Sequence, residues 1–316
     1  MKVIEHYAAA SEPLISYEII PPRRGGSIDD LLEIVEALLP FRPPFIDVTS
    51  HAAEAYYEEM PENVVRRHVK RKRPGTIGLC AAIQYRYGID AVPHILCKGF
   101  TREETEDALI ELHYLGIRNV LAVRGDDIGH DKPERPDRSA NAYASDLVNQ
   151  ITSMNDGKYL EDLVDARPTD FCIGVGGYPE KHVEAPNLTW DIANLKRKIE
   201  AGADYVVTQM FFDNRHYFSF VDQCRAAGIT VPIVPGLKIL ATTGHLHSLP
   251  RTFGSDIPEP LADAVRAVDT NAQAADVGVA WAREQSEELL AAGAPGIHFY
   301  IMSTAAHVVR VVDGLR

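Results

Sequence analysis

The stretch Ser16-Tyr17-Glu18-Ile19-Ile20-Pro21-Pro22-Arg23 places a glutamate in a short apolar run that two prolines end. Such a run is typical of a buried strand, and proline cannot donate the hydrogen bonds that a sheet requires. Glu18 is therefore predicted near the carboxyl end of the first strand. Burying an isolated carboxylate is costly, so the pattern leaves two interpretations: an ion pair with Arg23 or Arg24, or a catalytic group.

Seven further apolar runs are predicted to be strands, and most are followed by a stretch with helical spacing. They cover residues 45–50, 91–97, 119–123, 171–175, 205–209, 231–236 and 296–302. Eight such units in 316 residues predict a single (β/α)8 TIM barrel of the α/β class, with its site at the carboxyl ends of the strands. A doubly wound open sheet is the alternative, but no G-x-G-x-x-G follows the first strand.

Local patterns between the strands carry their own predictions. Ser27 is predicted to cap the helix over 28–39. The basic run Arg66-Arg67-His68-Val69-Lys70-Arg71-Lys72-Arg73 is interpreted as the solvated face of a helix. His245-Leu246-His247 is interpreted as a surface loop rather than a metal site, because no acidic or cysteine ligand lies nearby in sequence, and no metal is predicted. Residues 128–141 are predicted to form a long surface loop.

Composition argues against several classes of protein. A net charge of −13 counts against a general nucleic-acid binder, which needs surplus Lys and Arg. The sequence contains no uninterrupted apolar run of about 18 residues, so no membrane-spanning helix is predicted. Met1-Lys2-Val3-Ile4-Glu5-His6 lacks the features of a signal peptide, so a cytoplasmic protein is expected. The four cysteines form no C-x-x-C pair and are expected to be small buried residues.

Polar residues cluster where the predicted strands end. They are Glu18, Thr49, His94, Arg124, Asp126, Tyr178, Gln209 and Tyr300. Packing of a core does not require this convergence on one rim, although a lone histidine such as His94 is more often a hydrogen-bonded core group than a ligand. The rim is therefore predicted to be the functional site.

Taken in order, the motifs resemble those of the methylenetetrahydrofolate reductase family, from Ser16 to near the C-terminus. They are Glu18 with Pro21-Pro22-Arg23, Pro93-His94, Arg124-Gly125-Asp126, Tyr143-Ala144-Ser145-Asp146-Leu147, Tyr178-Pro179-Glu180 with His182 and Ala185, Asn194-Leu195-Lys196, Thr208-Gln209 with Phe211-Phe212, Pro235-Gly236, and His298-Phe299-Tyr300. Each motif is weak alone, whereas their order and their position at strand ends are specific.

The resemblance implies an FAD that lies across the barrel rim. NADH or NADPH would reduce it, and 5,10-methylenetetrahydrofolate would reoxidise it at the same face, in one-carbon metabolism and methionine synthesis. The implied FAD contacts are Thr49, Ser50, Ala52, His94, Arg124, Gly125, Asp126, Tyr143, Ala144, Tyr178, His182, Ala185, Asp191, Asn194, Arg197 and Lys198. Of these, Arg124, Arg197 and Lys198 would supply positive charge for the pyrophosphate.

The resemblance also implies roles in catalysis and substrate binding. Glu18 would be the general acid that protonates folate N10, and its apolar surroundings are expected to hold it partly protonated near neutral pH. Asp126 would tune the flavin and bond the pterin ring. Gln209 would contact folate or nicotinamide in turn, and Tyr300 would contact the substrate.

Three departures from the family pattern bear on the substrate. Thr304 stands where the family has an arginine that meets the folate glutamate tail, Ile19-Ile20 replace aromatics, and the loop from Lys238 to His245 diverges. Two alternatives therefore stay open. One is a flavin barrel with a different acceptor, as in the related proline dehydrogenase barrels, and the other is a flavin subunit that passes electrons to a partner protein.

The organisation of the chain is expected to be simple. Residues 1–316 are predicted to form a single catalytic domain, without the C-terminal regulatory domain of the animal enzymes. The expected partner is a small folate, with no nucleic acid and no membrane. The choice between NADH and NADPH, and any homo-oligomer, stay open.

Overall fold

The computed structural model describes residues 1–126, 139–302 and 304–315, so most of the predicted loop over 128–141 lies outside the described residues. The strands are Leu14–Ile19 (β1), Phe45–Val48 (β2), Glu54–Met60 (β3), Val64–Lys70 (β4), Asp90–Leu96 (β5), Asn119–Val123 (β6), Cys172–Gly177 (β7), Tyr205–Thr208 (β8), Ile233–Val234 (β9), Gly236–Leu237 (β10) and Gly296–Tyr300 (β11). The helices are Val3–Ala9 (α1), Asp29–Leu38 (α2), Thr76–Tyr87 (α3), Arg102–Tyr114 (α4), Ala144–Asn155 (α5), Leu188–Glu200 (α6), Asn214–Ala226 (α7), His245–Phe253 (α8), Glu259–Arg266 (α9), Asn271–Ala291 (α10) and Ala306–Val312 (α11).

Nine of these strands form one parallel sheet in the order β10, β11, β1, β2, β5, β6, β7, β8, β9. The strands at its two ends, β9 and β10, are consecutive pieces of chain separated by Pro235, which has no amide hydrogen to donate. Because β9 pairs with β8 and β10 pairs with β11, the sheet closes on itself through this broken strand. The predicted (β/α)8 barrel is confirmed, with β9 and β10 together as the seventh strand.

The side chains of each barrel strand alternate between two environments. On β1, Tyr17 and Ile19 belong to the large core between the sheet and the helices, whereas Ser16 and Glu18 face residues of other strands inside the barrel. The two-residue period of a strand causes this division. The glutamate that breaks the apolar run of β1 is thus placed in the barrel interior.

Helix α1 packs at the amino-terminal end of the barrel and was not predicted. Its Val3 is fully buried against an interior cluster that includes Phe45, Val92 and Tyr205. The Val3 amide donates to Oδ1 of Asn119, the first residue of β6, at 2.8 Å. The carboxyl ends of the strands lie at the opposite end, where the polar residues were predicted to converge.

The basic run over 66–73 is not helical, so its interpretation as a helix face was wrong. Strand β4 pairs with β3 in an antiparallel hairpin outside the barrel, and Arg66 lies opposite Glu58 while Lys70 lies opposite Glu54. The ion pairs that form are diagonal to this register, between Glu58 and His68 at 2.8 Å and between Glu54 and Lys72. The acidic residues lie on β3, just before the basic run in sequence. The run pairs with them as a strand and does not form a helix.

Two smaller local predictions were also wrong. His245 begins helix α8 instead of lying in a loop, and its Nδ1 accepts the Ala241 amide at 3.1 Å. Ile28 rather than Ser27 is the N-cap of α2, although the Ser27 hydroxyl does accept the Asp29 amide at 3.0 Å.

Other expectations from composition can be compared directly with the structure. The four cysteines are buried and unpaired, as predicted. Within the described ranges no helix, including the 21-residue α10, is long and apolar enough to cross a membrane.

Helix α10 packs so closely on the loop after β10 that a glycine is required at its contact. A Cβ added to Gly278 would lie 1.8 Å from the Leu240 carbonyl oxygen, a backbone atom that no side-chain rotation can move. Gly278→Ala is expected to lower the free energy of unfolding by about 3 kcal/mol, as overpacking commonly does.

Urea unfolding followed by circular dichroism measures this loss, and Gly78→Ala in α3 is the matched control. A Cβ at Gly78 meets nothing within 4 Å, so that variant is expected to be as stable as the wild type or more stable by up to about 1 kcal/mol. Equal stability of the two variants would contradict the packing described for Gly278.

Candidate active site

Four titratable residues from four different strands meet inside the barrel. Glu18 comes from β1, Asp47 from β2, His94 from β5 and His298 from β11. The His94 Nε2 atom lies 3.5 Å from Glu18 Oε2 and 3.6 Å from Asp47 Oδ2, and His298 Nε2 lies 3.8 Å from the same Glu18 oxygen. We call these four residues the interior cluster.

Glu18 takes its charge partners from the interior cluster, so the ion pair with Arg23 or Arg24 was the wrong alternative. Burial alone would raise the pKa of Glu18, but His94, His298 and Lys238 outweigh burial and hold the pKa below its usual value. The expectation that apolar surroundings keep Glu18 partly protonated was therefore also wrong for the free protein. Proximity to imidazole, which the local sequence could not show, decides the direction.

His94 is the cation that the two carboxylates of the cluster share. Burial would lower its pKa, but the charges of Glu18 and Asp47 raise it above the usual value. His94 is therefore not simply a hydrogen-bonded core histidine, because two carboxylates lie within 4 Å of its Nε2 atom. His94 can therefore carry a proton on Nε2, which lies 3.5 Å from the oxygen of Glu18, the predicted general acid.

Asp47 is the residue of the cluster that sequence reasoning missed most clearly. Its side chain is fully buried, and neither carboxylate oxygen has a hydrogen-bond partner among the residues that the structure describes. A carboxylate without donors is costly to bury, and the nearby His94 is the group that can offset its charge. The strand period would have found Asp47, since it faces the interior two residues after Phe45.

Two more residues, Ser16 and Lys238, complete the surroundings of Glu18 and were not predicted as site residues. The Ser16 hydroxyl lies 2.8 Å from His298 Nδ1, which fixes the orientation of that ring. Lys238 follows β10 and donates to the Tyr300 carbonyl oxygen at 3.1 Å. Burial lowers the pKa of Lys238 to about 8, against the opposing effect of Glu18.

A separate cavity of about 390 Å³ lies beside the ends of β6 and β7. Ten of the sixteen residues implied as FAD contacts line it, and they are Arg124, Tyr143, Ala144, Tyr178, His182, Ala185, Asp191, Asn194, Arg197 and Lys198. We call it the cationic cleft. The structure thus brings together residues that the sequence separates into four loops and helices.

Lys198 is the most unusual group of the cationic cleft. Its ammonium donates to the Gly176 carbonyl oxygen at 2.5 Å and, within the described ranges, forms no ion pair. Burial lowers its pKa to about 8, and the nearby Asp191 only partly offsets this. A partly buried ammonium beside an open cavity is suited to hold an anionic group such as a pyrophosphate.

Arg124 lines the same cleft but is engaged by a carboxylate. Its two terminal nitrogens donate to the two Glu184 oxygens at 2.7 and 2.5 Å, and this bond raises the pKa of Arg124. Glu184 also lines the cleft, so it competes with any anion for the arginine. At the cleft, Trp190 and Tyr143 expose 57% and 62% of their surface, which leaves aromatic faces available for stacking.

The remaining residues implied as FAD or substrate contacts lie on other parts of the rim. Ser50 and His94 line a second cavity of about 250 Å³, and the Thr49 amide and hydroxyl donate to the Ile19 carbonyl oxygen. Ala52 is packed so tightly that a Cβ at Gly99 would lie 2.7 Å from it.

Gly125 and Asp126 follow β6, and Gly125 has a φ of +85°, which favours glycine. The Gln209 side chain accepts the Met210 amide at 2.9 Å, and the Tyr300 hydroxyl donates to the Thr208 carbonyl oxygen. Tyr300 lies near the interior cluster, since burial and the charges of Glu18 and Asp47 raise its pKa.

A solved structure of similar architecture comes from Clostridium thermocellum. It is an uncharacterized protein that binds two copies of 5-methyl-5,6,7,8-tetrahydrofolic acid, and it aligns with a TM-score of 0.62 and 13% sequence identity. The alignment covers 99% of this chain and 98% of that chain. At this identity the likeness supports the barrel fold.

Sequence similarity is higher and covers nearly the whole chain. The family profile of methylenetetrahydrofolate reductase matches residues 3–316. Methylenetetrahydrofolate reductase 1 of Schizosaccharomyces pombe is 32% identical over 95% of this chain and 45% of its own length. Methylenetetrahydrofolate reductase (NADH) 1 of Arabidopsis thaliana is 29% identical over 100% of this chain and 51% of its own length.

A bacterial relative has a length closer to that of this chain. The 5,10-methylenetetrahydrofolate reductase of Salmonella typhimurium is 30% identical over 95% of this chain and 92% of its own length. By contrast, this chain spans about half the length of the fission yeast and plant relatives. With its family profile matched over residues 3–316, the chain belongs to the methylenetetrahydrofolate reductase family.

Proposed function

We propose that the protein reduces 5,10-methylenetetrahydrofolate to 5-methyltetrahydrofolate, with NADH or NADPH as donor and a bound FAD as carrier. The observation that carries this proposal is the interior cluster, which sets a glutamate 3.5 Å from a histidine at the rim of a family barrel. The folate-binding Clostridium thermocellum protein of the same fold supports the substrate class.

The cationic cleft fits the FAD that the family implies. Lys198 has no carboxylate ion-pair partner among the described residues, Arg197 adds a second cation, and exposed aromatics flank the cleft. We infer that Lys198, Arg197 and Arg124 would hold the pyrophosphate, and that Trp190 or Tyr143 would stack on the adenine. Bound there, the flavin would accept hydride from the nicotinamide and deliver it to the folate.

Glu18 acts in this proposal as the acid that protonates folate N10. Loss of N10 as a leaving group opens the methylene bridge and generates a 5-iminium cation, which accepts hydride. In the free protein the lowered pKa of Glu18 and the raised pKa of His94 favour the proton on His94, whose Nε2 lies 3.5 Å from Glu18 Oε2. Ligands that displace water favour the neutral pair, because two uncharged groups lose less solvation than two ions, and Glu18 then carries the proton.

Product analysis tests the proposal directly. Protein saturated with FAD is mixed with 5,10-methylenetetrahydrofolate and either NADH or NADPH, and folates are separated and identified by mass. Formation of 5-methyltetrahydrofolate with at least one donor is expected. A bound flavin that oxidises NADH or NADPH without forming this product would contradict the substrate assignment.

A second candidate function keeps the flavin and changes the acceptor. Thr304 supports it, since this exposed hydroxyl offers no positive charge where the family arginine is expected and instead accepts the Ala306 amide at 3.2 Å. Product analysis with the reduced protein and other small acceptors separates the two candidates.

The competition between Glu184 and an anion gives a prediction about cofactor affinity. Glu184→Gln leaves the side chain in place but removes its charge, which frees Arg124 and removes repulsion of the pyrophosphate. FAD is expected to bind about fivefold tighter to the apoprotein, the scale of an exposed ion pair.

Quenching of flavin fluorescence on titration measures this affinity. Glu200→Gln is the control, because Glu200 is an exposed residue of α6 that approaches Lys196 at 3.9 Å and does not line the cleft. Weaker FAD binding by Glu184→Gln than by the control would contradict the competition.

A further inference from the structure

A cavity of about 420 Å³ beside the rim is lined mainly by arginine and lysine side chains. Its lining residues are Arg23, Arg24, His51, Glu54, Lys70, Lys72 and Arg73. The first two follow β1, His51 follows β2, and the remainder come from the β3–β4 hairpin and the segment after it. We call this cavity the basic pocket.

Positive charge in the basic pocket greatly exceeds negative charge. Five arginines and lysines face one carboxylate, that of Glu54, and this carboxylate is paired with Lys72. Within the described residues the Arg23 guanidinium forms no hydrogen bond or ion pair, and only the Arg23 carbonyl oxygen is engaged, by the Gly26 amide at 2.7 Å. In a chain of net charge −13, four surplus cations around one cavity are a strong local departure.

Neutral groups, not acids, hold the other cations in place. Arg24 Nε donates to the Arg71 carbonyl oxygen at 3.1 Å, and Arg73 Nη1 donates to the Pro21 carbonyl oxygen at 2.5 Å. Lys70 lies 5.1 Å from the ring centre of Tyr56. Burial and the neighbouring Arg23 lower the pKa of Arg73, so these like charges oppose one another. An anion bound in the pocket would relieve the repulsion between these cations.

The basic pocket adjoins the candidate active site. Arg23 lies five residues after Glu18, across the two prolines that end the strand. His51 lines the pocket, and charges from both sides act on it, namely Arg73 and Glu54 from the pocket and Asp126 and His94 from the rim. A ligand whose reacting ring lies over the interior cluster can therefore extend an anionic end into the pocket.

We propose that the basic pocket binds the γ-linked glutamate tail of the folate substrate and favours tails of two or more glutamates. This inference rests on the proposed function. Arginine forks match carboxylates, and cations distributed around an open cavity suit several separated carboxylates better than one compact phosphate. The pocket then supplies the positive charge that Thr304 lacks.

Equilibrium binding to the oxidised holoenzyme tests this without any turnover. The probes are 5-methyltetrahydrofolate with one and with three glutamates. Isothermal titration calorimetry measures the affinity of each probe at low and at moderate salt. The triglutamate is expected to bind about tenfold tighter, the scale of two added exposed charge contacts, and added salt is expected to reduce this preference.

Two double variants locate the effect. Arg23→Gln with Lys70→Gln removes two pocket charges, and the preference for the triglutamate is expected to fall to about one while affinity for the monoglutamate stays within about twofold. Arg66→Gln with Arg86→Gln removes two charges that do not line the pocket and is expected to keep the preference.

The outcomes separate this inference from the proposed function. If neither folate binds, the proposed function fails. If both bind equally to the wild type, or the control variant loses the preference equally, the inference alone is overturned. It is also overturned if the pocket variant keeps the preference, and a loss of affinity for NADPH relative to NADH in that variant would instead assign the pocket to the 2′-phosphate.

Discussion

Glu18→Gln is expected to slow reoxidation of the reduced flavin by 5,10-methylenetetrahydrofolate by about 10²- to 10⁴-fold, the usual contribution of general acid catalysis. The amide keeps the size of the side chain beside His94 but has no proton to give to N10. Flavin reduction by NADH or NADPH needs no such proton and is expected to stay within a few-fold of the wild type. Stopped-flow absorbance measures the two half-reactions separately.

Glu180→Gln is the informative control for this experiment. Burial, with the nearby charges of Asp256 and Asp213, raises the pKa of Glu180 to about 7, so Glu180 is also a carboxyl that can be protonated near neutral pH. It lies outside the interior cluster and accepts the Asp256 amide instead. Both half-reactions are expected to survive Glu180→Gln. Loss of the folate half-reaction in this variant, with its survival in Glu18→Gln, would contradict the assignment.

FAD affinity is expected to fall about tenfold per pH unit as the pH rises above about 8. The pKa of Lys198 is about 8 in the free protein because the ammonium is buried. A bound pyrophosphate would raise this pKa, so binding takes up a proton wherever Lys198 is neutral beforehand. The favourable contribution of the ammonium is therefore fully present below pH 8 and is lost as the pH rises through that value.

Two variants of α6 test the source of this dependence. Lys198→Met is expected to weaken FAD binding by about 10- to 100-fold at pH 7, the scale of a charge-assisted hydrogen bond, and to flatten the pH dependence. Lys196→Met removes an exposed charge on the same helix that does not line the cationic cleft, and it is expected to keep both the affinity and the slope. A slope that persists in Lys198→Met would assign the titration to another group.

Sequence patterns predicted the barrel because its elements are locally encoded. The proline pair after Ile20 and the apolar runs each act over a few residues, and so does the Thr101 side chain that caps α4. The strand period also placed Glu18 correctly at a strand end. These signals depend on near neighbours, which the chain order supplies.

The partners of Glu18 could not be read from its neighbours. Asp47, His94 and His298 reach it from other strands, and their imidazoles reverse the direction of its pKa from that expected for an apolar setting. The hairpin β3–β4 was mistaken for a different reason, since its cross-strand contacts, such as Glu58 with His68, are local, but the basic run was interpreted without the acidic strand that precedes it. Contacts between distant strands decide the protonation of the site, whereas a neighbouring strand decides the conformation of the basic run.

The central claim is that this barrel passes electrons from a nicotinamide through FAD to 5,10-methylenetetrahydrofolate. An anaerobic titration tests it most directly: the purified FAD-loaded protein is reduced, and 5,10-methylenetetrahydrofolate is then added while the flavin absorbance is followed. Recovery of the oxidised flavin band, with one 5-methyltetrahydrofolate formed per flavin, is the predicted result. A flavin that stays reduced in the presence of excess 5,10-methylenetetrahydrofolate would contradict the claim.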